Sequence, residues 1–141
     1  MHARLLAKPP SPEAPWNLIL YSDEVTPGNT LGPANHRKCQ AIYWSFLEFG
    51  PPALSREEGW FTLLCEYSKT VNRAHAGLSQ VFGEVLKLFF DPNGFNLMTG
   101  GMPLPFENDE LRLWAKLGVV LQDGGARQYV LHRFFLSSPY F

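Results

Sequence analysis

The apolar positions of this chain fall into five groups with two different periods. Within Trp16 to Ser22, Leu18-Ile19-Leu20 form a continuous apolar run, the pattern of a strand covered on both faces. Lys38 to Phe49 carries Ile42, Tyr43, Trp44, Phe46 and Phe49, all good strand formers, and reads as a second strand. Trp60 to Tyr67 reads as a third through Trp60-Phe61-Thr62-Leu63-Leu64-Cys65. The period then changes. Leu78, Val81, Phe82, Val85, Leu86 and Phe89 recur at three- and four-residue spacing, which predicts a helix with one apolar stripe. Finally Leu111, Leu113, Ala115, Leu117, Val119 and Leu121 alternate at period two, the strand signature. An amphipathic helix from Asp109 to Lys116 competes for the first half of that segment, and Gly118 to Leu121 is strand on either reading.

Polar punctuation separates these groups. Residues 1–15 hold four prolines and no clear period, so they read as a loose lead-in. Thr26-Pro27-Gly28-Asn29 is a turn, prolonged by Gly32-Pro33. Gly50-Pro51-Pro52 stops the second strand, and Leu54-Ser55-Arg56-Glu57-Glu58 is a polar connector. Asp91-Pro92-Asn93-Gly94 ends the helix, and 94–108 reads as an irregular loop with Gly100-Gly101, Pro103 and Pro105. Gly124-Gly125 precede a possible helix start over 126–132, and 134–141 has no clear period. The order is strand, strand, strand, helix, strand. A helix before the last strand implies a crossover and at least one parallel pairing. The simplest result is an α/β fold with a mixed sheet, in which strands three, two and one form a meander and the fourth lies beside the first, parallel to it.

Composition changes this picture little. The 141 residues suit one domain, and 45% hydrophobic with 18% charged residues marks a globular chain. A net charge of −1 gives no general attraction to nucleic acid, so a DNA role needs a local basic patch. Cys39 and Cys65 form no CxxC pair and no metal-ligand spacing, and read as buried reduced thiols. The start has no signal-peptide pattern, and no run reaches the ~20 apolar residues of a membrane span, so an intracellular protein is expected, in nucleus or cytoplasm.

The chemistry sits at two strand ends. Leu18-Ile19-Leu20-Tyr21-Ser22-Asp23 and Leu117-Gly118-Val119-Val120-Leu121-Gln122-Asp123 are apolar runs that each end in an aspartate. In the expected sheet both carboxylates fall at the same end of adjacent strands. Clustered carboxylates suit Mg2+ or Mn2+, which prefer hard oxygen ligands. Two such ions about 4 Å apart activate a water or hydroxyl and stabilise the leaving oxygen in phosphodiester chemistry. The plain alternative is that each aspartate forms a turn or caps the following segment, and Asp123 before Gly124-Gly125 is a turn signal in its own right. Glu24 is either a working acid or solvent-facing, and Glu84 lies off the apolar stripe and faces water. Asn35-His36-Arg37-Lys38 offers Arg37 and Lys38 to phosphate, against the alternative of a solvated loop. Arg127, His132 and Arg133 form a second small basic group. His75 is isolated, and GxGxxG, Walker and GxSxG motifs are absent. Trp44, Phe46, Trp60 and Phe61 read as core rather than as a base-stacking surface.

Three stretches carry a family resemblance: Leu20-Tyr21-Ser22-Asp23 with Thr26-Pro27-Gly28-Asn29, Tyr43-Trp44-Ser45-Phe46-Leu47-Glu48-Phe49-Gly50, and Leu117 to Asp123. They resemble the ribonuclease-H-like catalytic region of cut-and-paste DDE/D transposases of the CACTA and related eukaryotic groups, and transposon-derived open reading frames. The likeness spans roughly residues 16–126, after a flexible lead-in (1–15) and before a divergent tail (127–141). It implies a partial ribonuclease-H-like fold, Mg2+ or Mn2+ as cofactor and DNA as partner. Asp23 matches the first acid of such enzymes and Asp123 the second, as catalytic and metal-binding residues. The third acid has no match, so the resemblance implies an incomplete nuclease or transposase domain, inactive alone. The other expectations are a non-catalytic protein-interaction module, or an unstable fragment without activity.

Overall fold

The computed structural model describes residues 2–26, 37–106 and 109–122. In chain order these form helix α1 (His2–Ala7), strands β1 (Trp16–Val25) and β2 (Cys39–Phe46), helix α2 (Pro51–Leu54), strand β3 (Phe61–Tyr67), helices α3 (Ser68–Val71) and α4 (Leu78–Phe90), and strands β4 (Met102–Phe106), β5 (Asp109–Leu113) and β6 (Ala115–Gln122). Single turns of 3-10 helix at Leu47–Phe49 and Glu57–Gly59 flank α2. The fold is mixed α+β. A four-stranded sheet has the order β3-β2-β1-β6, and β4 pairs with β5 in a separate two-stranded sheet.

Local contacts give the strand directions. Ser68 N–H donates to the Lys38 carbonyl at 2.8 Å, joining the end of β3 to the start of β2. At the opposite ends, Ser45 Oγ donates to the Gly59 carbonyl at 2.6 Å, so β2 and β3 are antiparallel. Lys38 reaches Glu24, and the Trp16 and Phe46 rings meet at 5.4 Å, so β1 and β2 are antiparallel as well. Trp16 N–H donates to the Trp114 carbonyl at 2.9 Å, which starts β1 and β6 side by side in the same direction. The sheet is therefore the expected meander with a parallel fourth strand, and that fourth strand is β6.

The chain divides into two compact units, built from the described residues of Met1–Leu20, Trp44–Phe61 and Leu86–Val120, and of Tyr21–Tyr43, Thr62–Val85 and Leu121–Phe141. The first has an aromatic core. Trp16, Phe46 and Phe49 meet edge to face, and Trp44 packs on Phe61 at 4.8 Å and Phe89 at 5.4 Å. Such contacts add about 0.5–1.5 kcal/mol each to the burial itself. Glu48 accepts from the Asn17 backbone N–H at 3.0 Å and from Asn17 Nδ2 at 2.8 Å, which fixes the turn after β2 to β1. The second unit buries Ala41, Ile42, Val71, Phe82 and Val85. Of the stripe along α4, Phe82, Val85, Leu86 and Phe89 are buried and Leu78 and Val81 half-buried, while Glu84 on the same helix is exposed.

Four sequence expectations are corrected. The segment expected to be a loose lead-in contains α1, because Leu5 finds core contacts and is buried; Trp16 Nε1 also donates to the Lys8 carbonyl at 3.0 Å. The polar connector is partly helical: Gly50, at φ 75°, turns the chain so that Pro51 starts α2. The 94–108 loop contains β4, whose register with β5 runs from Met102↔Leu113 to Phe106↔Asp109. Its prolines disguised a strand that a two-stranded ribbon tolerates, since a ribbon leaves one side of each strand unpaired. Last, the alternating run over 111–121 is two strands, which divide at Trp114: β5 serves the ribbon and β6 the main sheet. The competing helix over 109–116 is absent.

Candidate site at the carboxyl ends of β1 and β6

Residues alternate between the faces of a strand, so Tyr21 and Asp23 share one face of β1 and Ser22 and Glu24 the other. Asp23 is half-buried, and Tyr21 Oη donates to its Oδ2 at 3.2 Å. The Tyr21 ring stacks on Tyr43 at 6.0 Å with 22° between planes, so the phenol that holds Asp23 is itself fixed. Asp23 lies near the carboxyl end of β1, and Gln122 is the last residue of β6. Asp123, the second expected acid, is bonded directly to Gln122 in sequence and lies outside the described residues.

The same strand ends hold an unusual polar pair. Ser22 is 1% exposed and Gln122 8% exposed. Ser22 Oγ and both amide atoms of Gln122 lack a hydrogen-bond partner among the described residues. Buried polar groups are normally paired, and an unpaired one costs about 1–3 kcal/mol. Both residues escaped the sequence reading because an uncharged polar residue near the end of an apolar run reads as a strand terminus. The available signal was positional: each immediately precedes an aspartate.

Glu24 is neither a free acid nor simply solvent-facing. Its carboxylate accepts from Lys38 Nζ at 2.6 Å, Ser68 Oγ at 2.8 Å and Gln40 Nε2 at 3.3 Å. The hydrogen bond from Lys38 is the main reason its pKa lies below the usual carboxylate value, with partial burial opposing and Ser68, the Lys38 charge and Gln40 assisting. Glu24 thus clasps β1 to the start of β2 and of α3. Lys38, one of the two residues expected to meet DNA phosphate, is the cation of that clasp. Arg37, the other, is exposed in the turn before β2. The described residues bring no group of three or more His, Cys, Asp or Glu together for a metal ion.

A different feature lies in the first unit. A cleft of about 500 Å³ is lined by Arg4, Phe49, Pro52, Ala53, Arg56, Glu58, Gly59 and Phe61. Among the described residues neither guanidinium forms an ion pair, and the cleft combines apolar residues with Arg4, Arg56 and the Glu58 carboxylate. Among the described residues no helix is long and apolar enough to cross a membrane.

The class defined by these observations is a mixed α+β domain with a parallel strand pair at one edge of its main sheet. No protein-family model, curated protein or solved structure matches the chain.

Proposed function

We propose that this chain is a transposon-derived, partial ribonuclease-H-like domain of the nuclease and transposase class, which holds Mg2+ or Mn2+ through Asp23 and Asp123 beside a DNA phosphodiester and is inactive alone. The observation that supports this reading is the parallel pairing of β1 with β6: Asp23 lies two residues before the end of β1, and β6 ends at Gln122, the residue before Asp123. Asp23 supplies carboxylate oxygens suited to a hard cation, and Gln122 Oε1 is a buried, unpartnered oxygen at the end of the neighbouring strand, whereas Ser22 Oγ lies on the opposite face of β1. A bound ion would supply Lewis acidity to a phosphoryl oxygen. The chain's own contribution is to orient Asp23 through Tyr21 and to keep Glu24 and Lys38 occupied with each other. Two carboxylates are a thin ligand set, so strand cleavage requires a further acid. Arg37 is the exposed cation at the start of β2 that could meet the DNA backbone, while Lys38 would first have to leave Glu24.

Titration with Mn2+, followed by calorimetry, tests this. The wild type binds in the millimolar range, and Asp23→Asn and Asp123→Asn each weaken binding at least about tenfold, a loss of about 1.4 kcal/mol. Equal, negligible binding by all three proteins removes the metal reading. The Arg4–Arg56 cleft favours a second reading, a non-catalytic module that binds an acidic partner. That reading has both aspartate variants indistinguishable from wild type, and Arg56→Glu abolishing association with an acidic peptide.

A further inference from the structure

We propose that the outward side of α3, with Tyr67 before it and Arg37 beside it, is a binding surface for single-stranded nucleic acid. The inference rests on the nucleic-acid partner of the reading above, though not on its metal, and all its residues belong to the second unit. Ser68 and Val71 of α3 are buried, whereas Lys69, Thr70 and Arg73 are exposed. At about 100° per residue, the first two mark the inner side of the turn and the other three its outer side. Arg73 follows α3, but the coil continues to it: Asn72 N–H donates to the Ser68 carbonyl at 2.9 Å and Arg73 N–H to the Thr70 carbonyl at 3.1 Å. Lys69 and Arg73 are therefore neighbours one turn apart. Ser68 N–H donates to the Lys38 carbonyl at 2.8 Å, so Arg37 and Lys69 each adjoin that one contact between the two segments.

Charge and aromaticity name the ligand. Arg37, Lys69 and Arg73 form no ion pair among the described residues. Of the acids that adjoin them, Glu24 is engaged by Lys38, Gln40 and Ser68, and half-buried Glu66 accepts from the Tyr67 backbone N–H at 2.8 Å. Three cations thus gather on one surface of a chain whose net charge is −1, the local basic patch that phosphate contact requires. Tyr67 is 49% exposed, and Lys69 Nζ lies 5.6 Å from its ring centroid. The ammonium over the ring fixes it, and the exposed remainder offers a base a flat surface on which to stack. Cys65, on the same face of β3 as Tyr67, is small and exposed, and Cys39 is half-buried, which corrects the expectation of two buried thiols. An acidic peptide answers the cations but offers Tyr67 no base, and a duplex keeps its base faces stacked inside. A single strand supplies phosphates and open bases together.

The test is fluorescence anisotropy of the full chain with a labelled oligothymidylate of about 16 nucleotides. EDTA is present throughout, so the result is independent of the Mn2+ titration above, and either reading can fail alone. Wild type binds, and the logarithm of its affinity falls with the logarithm of salt concentration with a slope of about −2, or 0.7 for each of three phosphate contacts. Lys69→Ala and Arg73→Ala each reduce that slope by about 0.7. Tyr67→Ala weakens binding at least about fivefold, and Tyr67→Phe, which keeps the ring, binds as wild type does. An abasic strand of equal length binds wild type as weakly as the oligothymidylate binds Tyr67→Ala. Absence of binding by wild type at about 50 mM salt overturns the proposal. So does equal affinity for the abasic strand, unchanged binding by the triple variant Arg37→Ala, Lys69→Ala, Arg73→Ala, or displacement of the strand by polyglutamate of matched charge at equal concentration.

Discussion

Replacing Gln122 by Met asks whether the polar end of β6 is strained in the way its surroundings imply. Gln122 is 8% exposed, and neither Nε2 nor Oε1 has a partner among the described residues. Methionine has nearly the same length and volume, so the substitution removes the two polar atoms without opening a cavity. An unsatisfied buried polar group costs about 1–3 kcal/mol, so Gln122→Met stabilises the metal-free protein by about that amount. For a domain of this size each kcal/mol moves the melting temperature by roughly 3–5 °C, so a rise of about 3–15 °C is expected. Urea unfolding with EDTA present measures the free energy directly, and an unchanged slope excludes an effect on the unfolded chain. Ser22→Ala, which removes one hydroxyl at a position 1% exposed, gives the same sign and a smaller effect. A loss of 1 kcal/mol or more in Gln122→Met refutes the reasoning, because it means that the native amide is hydrogen-bonded. The support that Gln122 Oε1 lends to a cation site would then go with it.

Three further outcomes follow from the packing. Glu24 has a folded pKa below its unfolded value, so its contribution is present above the unfolded value of 4.5 and is lost as pH falls through the lower, folded one. With the Lys38 and Glu24 side chains 44% and 36% exposed, that contribution is under about 1 kcal/mol, and Glu24→Gln should flatten the acid limb of a stability–pH curve by that much and no more. Gly118→Ala sets a Cβ 2.7 Å from Asn17 Cβ and 3.2 Å from the Leu18 carbonyl; overpacking between β1 and β6 should cost about 1–3 kcal/mol in urea unfolding, and a neutral result would contradict the close approach of these strands. Phe82→Ala empties a position 1% exposed on α4 and should cost about 3–5 kcal/mol, whereas Glu84→Ala on the exposed face of the same helix should stay within about 0.5 kcal/mol.

What was legible in the sequence depended on whether a residue's role followed from its own neighbours. The α4 stripe was readable because burial on a helix repeats with the helical period, and the observed ends, Leu78 and Phe90, match the pattern closely. The first three strands were readable from β-branched and aromatic runs. β4 was not, because Pro103 and Pro105 are loop signals in isolation and become acceptable only in a ribbon beside β5. The break at Trp114 was invisible because β5 and β6 share one uninterrupted alternation, and only their different partners separate them. For the candidate site, Asp23 was found as the carboxylate at the end of a buried run. Ser22 and Gln122 were missed, since an unpartnered buried oxygen is a property of surroundings and not of spacing.

The sequence by itself determined the local periods, the turns, the two aspartate-terminated runs and the order of elements that makes a parallel strand beside β1 the simplest sheet. Those follow from short-range rules: side-chain period, turn chemistry and the need for a crossover before a parallel strand. Only the tertiary structure decided that Glu24 is occupied by Lys38, Gln40 and Ser68, and that the ends of β1 and β6 hold buried polar atoms. Each of these joins residues distant in the chain, through strand pairing whose register no local pattern specifies.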